Sequence, residues 1–384
     1  MKTKSLFSLT IAMLALAACS ENEITEQNPE VNKPIGFDTY ASVQTRGAEM
    51  TLDKMKQGDD FGVMAYQTTG DYSTTGTKSE FMKNQHVTWD ISSYTWEYLP
   101  VKFWPVGVNE KVSFFAYAPR TYDGLTLISA DASSNPKINF TLSDYSKSMA
   151  DLVVSDPEDV NNNTMNMTSA SGTVKFKFQH QLTRVDMVAK TDVDLSQNDE
   201  TRVFITGVSL IHTSKLNKKG TLDMKTLTWA DNTTDYLASP YVLTDYSNQS
   251  GVLNMTTANF AGYTTSSIDI SIPAQNETTI PLFYKNASYT PENQFLFLLP
   301  VSNNTGTANA GDVKVKIAYD IVNKINDTTH TKSSVEKEVN LPAGILKKGV
   351  AYKFIFTIGL NAISFDVVSV DGWGAETKND ITVQ

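Results

Sequence analysis

The chain has a single cysteine in 384 residues, at position 19. No disulfide can form within it, and no zinc site can be built from thiolates. Histidine is also scarce: His86, His180, His212 and His330 are scattered along the chain, which argues against a His-built metal centre. The G-x-S-x-G elbow, H-E-x-x-H, the P-loop and G-x-G-x-x-G are all missing, so no catalytic residue, cofactor or metal site is expected. Helical periodicity is nearly absent. Its best candidate is a short peripheral stretch over 48–57, ending at Gly58. Basic residues are outnumbered 32 to 42, for a net charge of −10. Such a chain does not neutralise phosphate backbones, and nucleic acid is not an expected partner. Hydrophobic residues at 40%, with 10% aromatic, are enough for folded cores and exclude disorder throughout.

What is present begins with an export signal. Met1-Lys2-Thr3-Lys4 is a basic start, and 6–17 is apolar but too short to span a bilayer. Leu16-Ala17-Ala18-Cys19 looks like the lipobox of bacterial lipoproteins. Residues 1–18 are then a signal peptide and Cys19 is the acylated new N-terminus. Attachment by several acyl chains is stable where one is marginal. Ser20-Glu21-Asn22-Glu23 resembles a surface-export signal of gram-negative lipoproteins, and a solvated linker fits it equally well. Residues 19–34, polar and with Pro29 and Pro34, read as a lipidated tether.

Beyond the tether the pattern has period 2. Val174, Phe176, Phe178, His180 and Leu182 share one face, with Lys175, Lys177, Gln179 and Gln181 on the other. Val313 to Ile321, Ile138 to Leu142, Ile268 to Ile272 and Tyr352 to Ile358 alternate in the same way. Half-buried antiparallel strands have this period. Phe295-Leu296-Phe297-Leu298-Leu299 lacks a polar face and reads as a strand buried on both sides. The expected class is all-β, as sandwiches or a barrel. The length suits two domains. The polar stretch 155–172 places their boundary, giving an N-terminal domain over 35–165 and a C-terminal one over 166–384.

Few side chains stand out as chemistry. His180 ends an apolar strand face and reads as a core histidine with satisfied nitrogens. Carboxylate pairs such as Asp59-Asp60 and Asp192 with Asp194 lie in turn-like stretches, and nothing selects one for glycoside hydrolysis. The Asp and Asn clusters at 156–163 and 192–199 lack the spacing of a known calcium loop. The segment 89–122 is dense in aromatics, among them Trp89, Trp96 and Trp104. Exposed, they would stack on sugar rings. Core packing is the preferred reading, with one of the pairs Phe114/Ala116 and Phe115/Tyr117 expected inside.

Several short motifs then converge: Ile35-Gly36-Phe37 leading to Gln44-Thr45-Arg46-Gly47; Phe103-Trp104-Pro105 and then 112–119; Phe178-Gln179-His180-Gln181-Leu182; Gly349 to Phe354; and Val370-Asp371-Gly372-Trp373. In this order, after a lipobox, they resemble the fimbrillin family, lipoprotein precursors of protease-assembled pili. The resemblance runs from the lipobox to the C-terminus. It implies two tandem antiparallel β-sandwich domains of transthyretin-like topology, and transport to the outer membrane as a lipoprotein. It also implies a cut after Arg46, before Gly47, by an arginine-specific protease. The removable first strand lies within 35–46. The groove left behind is filled by a strand from another subunit in an extracellular fimbrium that supports adhesion. The expected partners are other fimbrial subunits, the protease, the outer membrane through the lipid, and a host or bacterial surface receptor.

The residues themselves support such a strand. Ile35, Phe37, Ala41 and Val43 share one face, with Thr39 its only polar member. Exchange of one strand for another is β-augmentation, in which backbone bonds give affinity and alternate pockets give register. Taken alone, Thr45-Arg46-Gly47 reads as an ordinary turn after an edge strand. At the other end, 363–370 and 381–383 read as strands, making Ile363, Phe365, Val367, Ile381 and Val383 the candidate donor. Shaft, tip and accessory roles stay undecided. The competing reading is a surface lipoprotein that binds glycans or cells and does not polymerise.

Overall fold

A computed structural model describes residues 33–41, 50–144, 148–193, 200–231, 234–243, 253–271, 278–283, 285–286, 292–293, 295–302, 305–359, 362–369 and 381–383. As the period-2 runs require, it is built almost wholly of β-strands. The helical candidate over 48–57 becomes a single helical turn at Leu52–Lys54, continued by a wider turn at Met55–Asp59. Thr51 caps it, its side chain accepting the Lys54 N–H at 3.2 Å.

The first sheet has seven strands: β1 (Phe37–Ala41), β2 (Phe61–Thr69), β3 (Ser79–Asp90), β4 (Thr95–Glu97), β5 (Glu110–Ala118), β8 (Val153–Ser155) and β9 (Val174–His180). Their order is β1-β9-β8-β5-β2-β3-β4. All neighbours are antiparallel except β1 and β9, which run parallel. Side chains from every one of these strands except β8's Val154 and Ser155 meet in one apolar cluster, so the sheet curls around that cluster. A second sheet has the order β13-β12-β7-β6, from β6 (Leu125–Ile128), β7 (Lys137–Thr141), β12 (Lys219–Asp223) and β13 (Thr228–Asp231). Hydrogen bonding therefore crosses the expected division at 165/166: β9 completes the first sheet, and β12 pairs with β7.

The remaining chain forms two larger sheets. In one, β10 (Thr183–Thr191) runs parallel to the strand Ala351–Ile358, which is followed by Ile363–Ser369 and Ile381–Val383. In the other, β11 (Thr201–His212) pairs with Val313–Asn326, and that strand with Thr329–Asn340. The apolar run 295–299 is buried along its whole length, and its strand Leu296–Leu298 pairs with β10.

One expectation about the aromatic segment is corrected. Both faces of β5 are buried, not one. Phe114 and Ala116 belong to the cluster inside the curled first sheet. Phe115 and Tyr117 belong to a second, larger core shared with Phe140, Trp229, Met187 and Tyr319. Alternation shows that the two pairs point opposite ways, but it cannot show that each side is covered by other strands.

Candidate functional site

The first strand lies between two walls. On one side β1 pairs with β9, Phe37 opposite Val174, Thr39 opposite Phe176 and Ala41 opposite Phe178. On the other, the chain entering β1 bonds to the segment after β4. The Ile35 N–H donates to the Lys102 carbonyl at 2.9 Å, and the Trp104 N–H donates to the Lys33 carbonyl at 3.1 Å. Pro34 and Phe103 form an antiparallel bridge there. The Lys33 ammonium also donates to the Ser169 carbonyl. The two ends of the curled sheet thus meet across β1.

Side chains explain the alternation. Ile35, Phe37 and Thr39 are buried, whereas Gly36 is exposed and Asp38 half-exposed. The Phe37 ring sits 4.9 Å from Tyr98, 5.4 Å from Phe176 and 6.1 Å from Phe114, between centroids. Burial of an aromatic of this kind contributes about 2–3 kcal/mol. Thr39 is polar for a reason the strand pattern cannot supply: its hydroxyl accepts the buried indole N–H of Trp96 at 2.9 Å. The Tyr98 hydroxyl donates to the Ile35 carbonyl at 2.8 Å. Burial raises the Tyr98 phenol above its ordinary value, with the backbone at Lys102 pulling the other way. At neutral pH it is a protonated donor.

The pairing with β9 spans most of the first sheet's sequence, so β1 sits at the sheet's edge outside every local hairpin. Parallel pairs of this kind require a long connection. Withdrawing β1 would break no other strand pair. It would expose the β9 edge, the 102–104 backbone and the Phe114, Phe176 and Tyr98 rings, surfaces that demand a new partner.

Of the five residues assigned to the removable strand, Ile35, Phe37 and Thr39 are brought together here. Ala41 is placed by its backbone pairing. Val43, Arg46, Gly47 and Cys19 lie outside the described residues. At the C-terminus, Phe365 and Val367 are core residues, Phe365 lying 5.0 Å from Phe356 and 5.4 Å from Phe354, and Ile363 is half-buried beside them. Among the described residues the strand Ile381–Val383 pairs on one side only, Val383 opposite Phe365 and Ile381 opposite Val367, at the edge of its sheet.

Trp96 and Trp104 are buried, so they form no exposed sugar-stacking row. Trp89 is half-buried, packs edge-on against Trp96 at 5.2 Å and carries the Lys56 ammonium 4.2 Å from its ring centre. The wall formed by Trp96, Tyr98 and 102–104 went unrecognised in the sequence as part of this site. Its signal was present, in the aromatic density of 89–122. His180 is a satisfied core histidine, its Nδ1 2.8 Å from Asp151 Oδ2. Asp151 and its contact with Met50 had no local pattern to announce them. Among the described residues no group of three or more His, Cys, Asp or Glu side chains could hold a metal ion.

With this geometry in hand, known proteins can be compared. A family model described as fimbrillin-like matches residues 45–373. The chain is 37% identical, over 401 aligned positions and the full length of both chains, to the fimbrium subunit Fim1C of Phocaeicola vulgatus. Among solved structures it resembles a fimbrial protein from Bacteroides vulgatus, with a TM-score of 0.74 and 33% identity, over 89% of this chain and 100% of that one.

Proposed function

The chain belongs to the fimbrillin-like family, and on that premise we propose that it is a subunit of surface fimbriae, exported as a lipoprotein and assembled by strand exchange. Cys19 carries the lipid that holds the precursor at the outer membrane. An arginine-specific protease cuts after Arg46, and the first strand departs with the lipid. The groove between β9 and residues 102–104 then takes a strand from a neighbouring subunit. The C-terminal strands, with Ile381–Val383 outermost, supply the donor to the next subunit in turn. We take the organisation to be two tandem sandwiches of transthyretin-like topology, divided near 165, the first borrowing β9, β12 and β13 from beyond that point.

The observation that carries the reading is β1 itself. It is an edge strand with buried alternate side chains, bonded on both sides to chain distant in sequence. A strand so held can be replaced by another with the same alternation without unfolding its neighbours.

The test is digestion of the full precursor and of Arg46→Ala with an arginine-specific protease. The wild type should yield a chain starting at Gly47 and, on concentration, polymers visible by electron microscopy. Arg46→Ala should remain uncut at this position and monomeric. Equal polymerisation of Arg46→Ala would remove cleavage at this bond from the mechanism.

A further inference from the structure

The strand Thr329–Asn340 ends the sheet built on β11, as the outer half of a hairpin with Val313–Asn326. It has 12 residues, and all but His330, Val335 and Val339 are exposed. Among the described residues, the other strands that end a sheet have two to five. Short, bulged or proline-bearing edges are how β proteins avoid pairing with other chains. This edge holds no proline and no glycine. Its register is unbroken from Lys314 opposite Asn340 to Lys324 opposite His330. Among the described residues no strand pairs with its outer side.

The ladder decides which groups point outward. The Leu341 N–H donates to the Val313 carbonyl at 3.0 Å. Bonded pairs alternate from there, so the odd-numbered residues of the strand bond inward. His330, Lys332, Ser334, Glu336, Glu338 and Asn340 turn their N–H and C=O groups outward. Unpaired donors and acceptors in such a row are a template for a further strand.

Charge narrows the occupant. Lys and Glu on an edge commonly keep other strands away. Here their order favours one strand, the same one running the opposite way. An antiparallel pair sets outward-bonding residues opposite one another. With Val335 on the two-fold axis, all six outward residues of each copy are matched. Lys332 then faces Glu338 of the second copy, Ser334 faces Glu336, and His330 faces Asn340. On the other face Ser333 meets Lys337, and no like charges are opposed. Moving the axis to Glu336 or Lys337 would set like charges on each other. Lys332 and Glu338 lie 3.3 Å from Asp320 and 3.0 Å from Lys314 in their own chain, yet both side chains stay over 40% exposed, so each is open to a second partner.

We propose that this edge pairs with the same edge of a second copy of the chain, antiparallel about Val335. Backbone bonds hold the pair, and the charges set its register. One strand pair is a small interface and binds weakly. Repeated along two fibres, such pairs add, and they join fimbriae side by side. That use rests on the fimbrial reading above; the pairing itself does not.

The experiment uses the uncut full chain with Cys19→Ser, which leaves no other thiol and no lipid. Facing residues at a non-bonded position have Cα atoms about 4.5 Å apart, within disulfide reach. Lys337 would lie about 14 Å from its equivalent. Under mild oxidation Val335→Cys should therefore form a disulfide dimer at least about tenfold faster than Lys337→Cys, read on non-reducing gels. Ser334→Pro added to Val335→Cys removes an outward N–H from each copy and keeps the inward ladder, so the excess should vanish. Equal rates for the two cysteine variants overturn the inference and leave the edge to a strand of another protein. An excess that survives Ser334→Pro overturns it as well. If circular dichroism shows that Ser334→Pro does not fold, Glu338→Lys takes its place. It sets two lysines opposite each other, and an excess that survives it overturns the inference. Failure of the cut after Arg46 would leave all these rates unchanged.

Discussion

The indole nitrogen of Trp96 lies 2.9 Å from the hydroxyl oxygen of Thr39 and donates to it inside an apolar cluster. This bond ties the first strand to the far end of the same curled sheet. Thr39→Val keeps the shape and removes the acceptor, leaving a buried N–H unpaired. The expected loss is about 1–3 kcal/mol in urea unfolding. Thr39→Ser, which keeps the oxygen, should recover part of it.

Phe37 is the largest side chain that β1 places against Tyr98, Phe114 and Phe176. Phe37→Ala leaves a cavity among these rings and should lower stability by about 3–5 kcal/mol. The same variant, cut after Arg46, should release its first strand faster than wild type in a pull-down on the lipidated fragment. Release at the wild-type rate would mean that the strand is retained by backbone pairing alone.

Gly306 has a φ of +77°, and a Cβ there would lie 2.3 Å from the Ile345 carbonyl oxygen. Gly306→Ala combines an unfavourable backbone region with a backbone clash. It should cost about 1–3 kcal/mol, read as a lowered melting temperature. A neutral result would show that the loop shifts freely against the turn at Gly344 and Ile345.

Burial raises the phenols of Tyr117 and Tyr352 to about 12. In the unfolded chain a tyrosine titrates near 10. Between those values the native state holds protons that the unfolded state has lost, so stability falls as pH rises. The contribution is fully present below about 10 and is lost by about 12. Ultraviolet absorbance of phenolate should show these two residues ionising only together with unfolding. A separate earlier ionisation with the fold intact would contradict their burial.

Much of this protein is legible before any tertiary contact is known. Alternation in Val174 to Phe178 and Val313 to Ile321 predicted strands, and both strands form with those residues inside. The unbroken apolar run 295–299 predicted burial on both sides, which follows because no face is left for water. Ile35, Phe37 and Thr39 were marked as one face and are buried as one. The candidate donor was less legible. Phe365 and Val367 alternate as any core strand does, and period 2 cannot distinguish a strand that fills its own sheet from one offered to a neighbour.

The sequence by itself determined the class of the fold and a buried face in the runs Val174 to Phe178, Val313 to Ile321 and Tyr352 to Ile358, because side-chain period is a local property of extended backbone. It also singled out the lone Cys19 through its lipobox-like setting, whereas the Arg46-Gly47 pair stands out only through the family resemblance. Only the tertiary structure decided which strands became neighbours: β1 beside β9, 102–104 closing the other side, and β12 against β7 across the expected division. It alone brought the Met50 N–H and the His180 ring to the Asp151 carboxylate. These are pairings between residues far apart in the chain. They are chosen by which faces bury together and which polar atoms find partners there, and no local spacing records that choice.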